Sequence, residues 1–182
     1  MVITVSETKG IKCQVGDLSL LVDPDKVGSA DAVLYTAAKV PFETVPQNVV
    51  IGPGEYEISG IRVIGAGLER ESDAKRIRTA YTAIVDGIRL CFLGLLGAEV
   101  SDDALDKLGE TDILIVGAAS GMDVKKVVQL ARQMEPKIII PLSNHKEFAS
   151  ELGQKPEKEE KWVGKLKDIE TFNSKLIWLT EK

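Results

Sequence analysis

Through roughly the first hundred residues, short β-branched runs follow one another with turn residues between them and no helical period. VITV (Val2–Val5), IKCQV (Ile11–Val15), LSLLV (Leu18–Val22), AVLY (Ala32–Tyr35) and VVIG (Val49–Gly52) are punctuated by Lys9-Gly10, Gly16-Asp17 and Asp23-Pro24. Runs of this length and composition read as strands. GPGEYEISGIRVIG, Gly52–Gly65, continues the pattern with glycine and proline punctuation. TAIVDGIRLCFLG carries a hairpin signal, because Asp86-Gly87 accepts the positive φ that a tight two-residue turn demands. Between these segments LERESDAKRIR, Leu68–Arg78, is polar without a period and reads as a loop.

The character changes after Gly97. Ser101 is a good helix N-cap, and Asp102 and Asp103 follow in the first turn, where the helix dipole favours anions. That helix stops at Gly109. DILIV is a buried strand, GAASGMD a glycine-rich loop and VKKVVQLARQM an amphipathic helix ended by Glu135-Pro136. KIIIP is another buried strand, and KLIWL is a final one. A doubly wound single sheet would need a helix between most of the early strands, and none is visible. A strand-rich first half with helices gathered later instead predicts an α/β layered fold, two sheets faced by helices in an αββα four-layer sandwich.

The 182 residues suffice for one domain with a proper core, taken here as 1–182. A net charge of −5 disfavours a nucleic-acid surface, which needs a cationic face. The densest basic cluster, KPEKEEKWVGKLK from Lys155 to Lys167, mixes signs and reads as a solvated helix face or linker. MVITVSETKG lacks the basic-then-apolar order of a secretory signal, and no window approaches 18 uninterrupted apolar residues, so no membrane partner is expected. Cys13 and Cys91 then read as reduced core thiols of a cytoplasmic protein.

Groups that could carry chemistry are few. His145 is the single histidine, whereas a metal site built on imidazoles needs several ligands brought together. It reads as a polar residue at a helix start. The glycine-rich turn GAASGMD could present N–H groups to an anion, but it lacks the lysine and serine of a phosphate-binding loop. Ser120 lies outside a GxSxG elbow, although His145 could conceivably serve as its base. Asp23, Glu55, Glu57 and Asp123 are accounted for by turns and helix caps.

Several segments, in order, resemble the metallo-β-lactamase fold, and in particular the branch of L-ascorbate-6-phosphate lactonase-like proteins and small bacterial metal-dependent hydrolases. GDLSLLVDP (Gly16–Pro24) is similar to its early strand pair and DAVLYT (Asp31–Thr36) to the strand that leads into its metal motif. IGPGEYEISGIRVIG (Ile51–Gly65) is the most specific match. DGIRLCFLGLLG (Asp86–Gly97) and Leu108–Asn144 are similar to the later strand pair and the closing β-α-β. The resemblance implies a metal-dependent hydrolase with a His-x-His-x-Asp-His motif, yet Ala37 and Lys39 stand at its first two histidines, Pro41 at its aspartate and Phe42 at its last histidine. Leu95 stands where a bridging aspartate is expected and Ser143 where a late histidine is expected. His145 lies two residues further on, and if the strand continued it would return to the same face.

The resemblance thus implies a scaffold without its metal site. No cofactor is expected. The expected role is binding, regulatory or structural, with the alternative of an ester or phosphate-containing substrate hydrolysed at a metal-independent site that uses Lys39, Ser143, His145 or Ser120. An apolar patch at Val40, Pro41 and Phe42 could mediate homo-oligomerisation or pairing with a homologue.

Overall fold

The computed structural model describes residues 1–5, 10–41 and 44–180. The chain opens with β1 (Val2–Val5), β2 (Ile11–Val15), β3 (Leu18–Val22) and β4 (Ala32–Tyr35), followed by the short β5 (Ala37–Lys39) and by β6 (Val49–Ile51). A long meander comes next: β7 (Gly54–Ile58), β8 (Ile61–Gly67), β9 (Arg76–Val85) and β10 (Ile88–Leu96). Helix α1 (Asp102–Leu108), β11 (Ile113–Ala118), α2 (Val124–Gln133), β12 (Ile138–Pro141) and α3 (His145–Leu152) form the alternating part. The chain finishes with β13 (Lys158–Glu159), β14 (Trp162–Val163), the single turn α4 (Leu166–Ile169), β15 (Lys175–Leu176) and β16 (Trp178–Leu179).

The strands sort into two main sheets. One has the order β14-β1-β2-β3-β4-β6, and the other β15-β12-β11-β10-β9-β8-β7, with β5 attached to β9. Apolar residues of both sheets, among them Ile3, Leu20, Leu34, Val63, Phe92 and Ile115, fill one cluster between them. On its other face the larger sheet buries Leu93, Leu114 and Ile139 against Leu108, Val128 and Phe148 from α1, α2 and α3. The fold is the layered α/β sandwich that the element order predicts. Its helical layer lies on the larger sheet, while Lys12, Gln14 and Ser19 on the smaller sheet are partly or fully exposed.

Local sequence accounts for several boundaries. Asp86 and Gly87 both take positive φ, 52° and 76°, in the β9–β10 turn. The Ser101 side chain accepts a hydrogen bond from the Ala104 N–H, and α1 ends at Gly109 as expected. Cys13 and Cys91 are buried free thiols, and burial pushes each up to about 12.

Four expectations are corrected. Ala37–Lys39, read as a loop, is a strand that leaves the first sheet and pairs antiparallel with Arg76–Arg78 of the second. LERESDAKRIR is a 3-10 turn at Glu69–Glu71 followed by the opening of β9, the strand to which β5 and β8 pair. KPEKEEKWVGKLK contributes β13 and the edge strand β14, and its Trp162 is buried against the inter-sheet core. KLIWL is two strands, because Ile177 turns inward between β15 and β16, which pair with different partners.

Candidate functional site

Strands β10, β11 and β12 run parallel, and so do β3 and β4, so that their C-terminal ends come together. Ligands in α/β sheets generally lie beyond such ends. Here Asp23 follows β3, Thr36 follows β4, Gly94 and Leu95 close β10, and Pro141 and Leu142 end β12. All of them line one cavity of about 480 Å³, together with Ala37, Arg78 and His145.

Most of the wall is apolar. Val5, Ile11 and Val22 come from the first sheet, and Phe92, Ile115 and Leu179 come from the other side. The polar groups are held by a defined network. Asp23 accepts two hydrogen bonds from Thr36, from the backbone N–H at 2.7 Å and from the hydroxyl at 2.6 Å. Burial pushes the Asp23 carboxyl above its ordinary value, against the pull of those hydrogen bonds and of the Arg78 charge. Arg78 donates from Nη2 to the Leu95 carbonyl at 2.8 Å, and its Nε lies 3.5 Å from a carboxylate oxygen of Glu71. The other Glu71 oxygen accepts from the N–H groups of Gly97 and Ala98.

Gly94 makes this arrangement possible. It follows a bulge in the β10–β11 register and has φ +70°. A Cβ there would lie 3.0 Å from the Thr36 hydroxyl oxygen and 3.3 Å from Arg78 Nη2, so any larger residue would push into both groups.

The sequence-predicted residues divide. Ala37, Leu95 and His145 line the cavity. Ser143 lies beside Leu95, since a Cβ on Gly117 would meet Leu95 Cδ2 at 2.7 Å and Ser143 Oγ at 2.8 Å. The Ser143 hydroxyl donates to the Ala118 carbonyl and accepts from the Ala118 N–H, which ties β11 to the loop after β12. Lys39 and Pro41 are exposed and are not among the lining residues, and neither is Ser120. Phe42 lies outside the described residues. His145 does not continue a strand: Asn144 turns the chain at φ 52° and His145 opens α3, with its ring stacked on Trp178 at 4.9 Å between centroids. The alternation that would have returned it to the Ser143 face stops at Pro141. Among the described residues no three His, Cys, Asp or Glu side chains gather in a way that could hold a metal ion.

Sequence reasoning passed over Asp23, Thr36 and Arg78 as site groups. Asp23 had a sufficient explanation as a turn former, and Thr36 has no motif around it. Arg78 was hidden in a charged stretch, where the only available signal was the alternation Arg76-Ile77-Arg78-Thr79 that opens β9.

Residues 9–143 match the family model described as "Beta-lactamase superfamily domain". The chain belongs to the β-lactamase superfamily. Solved structures share its fold. A candidate Zn-dependent hydrolase of the metallo-β-lactamase superfamily from Thermotoga maritima matches with a TM-score of 0.78 at 20% identity, over 100% of this chain and 99% of that one. The metallo-β-lactamase fold protein YhfI from Bacillus subtilis matches with a TM-score of 0.60 at 12% identity, over 98% and 95%. A metallo hydrolase from Ignicoccus hospitalis matches with a TM-score of 0.58 at 12% identity, over 99% and 94%. No curated protein matches the chain. No helix among the described residues is long and apolar enough to cross a membrane.

Proposed function

We propose that this chain is a single metallo-β-lactamase-like domain, of the lactonase-like branch, that keeps the fold and the pocket, has lost the metal site, and works by binding and not as a metallohydrolase. The observation that carries this reading is the set of side chains at the cavity. Ala37 and Leu95 offer no lone pairs, and the Ser143 hydroxyl is spent on Ala118. Asp23 is tied to Thr36, and His145 is the single imidazole. A zinc or manganese ion needs several converging donors, and these residues do not fit one.

Metal analysis of the purified, dialysed protein tests the proposal. Zinc, manganese and iron together are expected far below one per chain, and a stoichiometric amount of any of them would overturn the reading. Metal-independent hydrolysis draws less support, because Lys39 and Ser120 do not line the cavity and Ser143 is engaged. That alternative requires chelator-insensitive turnover on an ester panel that is lost in His145→Ala. Self-association or pairing with a homologue would use the patch after β5, where Val40 is 37% exposed and Pro41 is exposed.

A further inference from the structure

We propose that the cavity binds an uncharged, largely apolar small molecule whose polar end pairs a hydrogen-bond acceptor for Arg78 with a donor for Asp23, as a primary carboxamide does. This rests on the metal-free reading of the same pocket.

The walls set the body of the ligand. Protein interiors are close-packed, with few voids larger than a water molecule, yet about 480 Å³ stays open here between Val22, Phe92, Ile115, Leu142 and Leu179. That volume lies within the range of small-molecule sites, and its surface is mostly hydrocarbon.

The head group follows from the charges at the other end. The Thr36 hydroxyl and Arg78 Nη2 flank the same point above Gly94, so donors and a carboxylate share one corner of the cavity. Arg78 spends one N–H on the Leu95 carbonyl, and its Nε, 3.5 Å from Glu71, completes no hydrogen bond there, so the guanidinium is incompletely satisfied. Asp23 receives both of its hydrogen bonds from Thr36 and keeps lone pairs for a further donor. An incoming carboxylate would meet Asp23 and Glu71 around a single guanidinium, whereas an ammonium would meet Arg78 itself. Bringing like charges together in a partly desolvated site is unfavourable in either case. A neutral head with an acceptor next to a donor avoids both costs and satisfies both partners.

The test uses three probes with one body: 4-propylbenzamide, 4-propylbenzoate and 4-propylbenzylammonium. They are titrated calorimetrically into the full chain after its zinc and manganese content has been measured. The benzamide is expected to bind about tenfold or more tighter than either charged probe, the size of one satisfied or mismatched hydrogen bond to a charged group. Ala37→Leu adds bulk to the wall without touching a hydrogen bond and is expected to weaken the benzamide about tenfold or more by excluding its body. If Ala37→Leu melts early, Leu95→Phe at the exposed mouth replaces it. Arg78→Met is expected to erase the preference for the amide.

Equal or tighter binding of benzoate or benzylammonium overturns the assignment of the head group. Binding unchanged by either cavity-filling variant overturns the location. A metal-free protein that binds none of the probes overturns this proposal alone, whereas one metal per chain overturns the metal-free reading beneath it.

Discussion

An arginine and an aspartate lie near each end of strand β10, and the two pairs are built to opposite purposes. At the N-terminal end Arg89 donates from its backbone N–H, Nε and Nη2 to the two oxygens of Asp112, and its Nη1 reaches Glu110. Burial alone would raise the Asp112 carboxyl, but the Arg89 hydrogen bonds and charge outweigh it and hold Asp112 below its ordinary value. At the C-terminal end Arg78 reaches only a backbone carbonyl and the vicinity of Glu71, and Asp23 is satisfied by a hydroxyl and an amide instead of by the guanidinium. Burial there wins, and Asp23 lies above its ordinary value. One end is a closed ion pair that clamps β10 to the approach of β11. The other is incompletely paired and opens on a cavity. The difference teaches where this fold holds its spare hydrogen-bonding capacity: beyond the C-terminal ends of the parallel strands.

Breaking the closed end should cost the most. Asp112→Ala leaves Arg89 without its main partner, and urea melts are expected to show a loss of about 3 kcal/mol, the low end for a broken buried pair because Arg89 is partly exposed. Binding at the far cavity should not change. Arg78→Met removes the charge-assisted hydrogen bond to the Leu95 carbonyl and the looser, 3.5 Å ion pair with Glu71, and should cost about 2 kcal/mol in the same melts. If Arg78→Met proves the more damaging of the two, the contrast between the ends fails. Gly94→Ala forces a side chain onto positive φ against Thr36 and should cost about 1 kcal/mol.

The smallest effect concerns pH, and its sign differs between the ends. Asp23 has a raised folded value, so its contribution favours the folded state at low pH and is lost as pH rises through that value. Asp112 has a lowered folded value, so its contribution is present above the ordinary carboxylate range and is lost as pH falls through the depressed one. Melts of Asp23→Asn should therefore gain on the wild type as pH rises above about 4, while melts of Asp112→Asn should close on the wild type only as pH falls below about 4. Parallel trends in the two variants would erase the distinction.

The scaffold was legible because local chemistry writes it. Asp86-Gly87 needs positive φ, Ser101 and Gly109 bound α1, and Ile138–Ile140 can only be a buried strand. The site was less legible because its groups are defined by long-range contacts. Thr36 matters through Asp23, thirteen residues away, and Arg78 through Leu95, seventeen residues away. Lys39 and Ser143 were attractive by type and position, yet one is exposed and the other is absorbed by a backbone amide and carbonyl. Ala37–Lys39 looked like a loop because a three-residue strand has too little sequence to show its period, and its partner strand β9 begins some forty residues later.

The central claim is that this pocket no longer holds a metal, and a thermal melt with and without added ZnCl2 or MnCl2 tests it most directly. A metal that binds the folded chain at a hundred times its Kd would add about 2.7 kcal/mol, which for a chain of this size raises Tm by roughly 5–10 °C. The expected result is no shift in Tm at submillimolar metal and no change on adding EDTA. A rise of several degrees that EDTA reverses and His145→Ala abolishes would contradict the account.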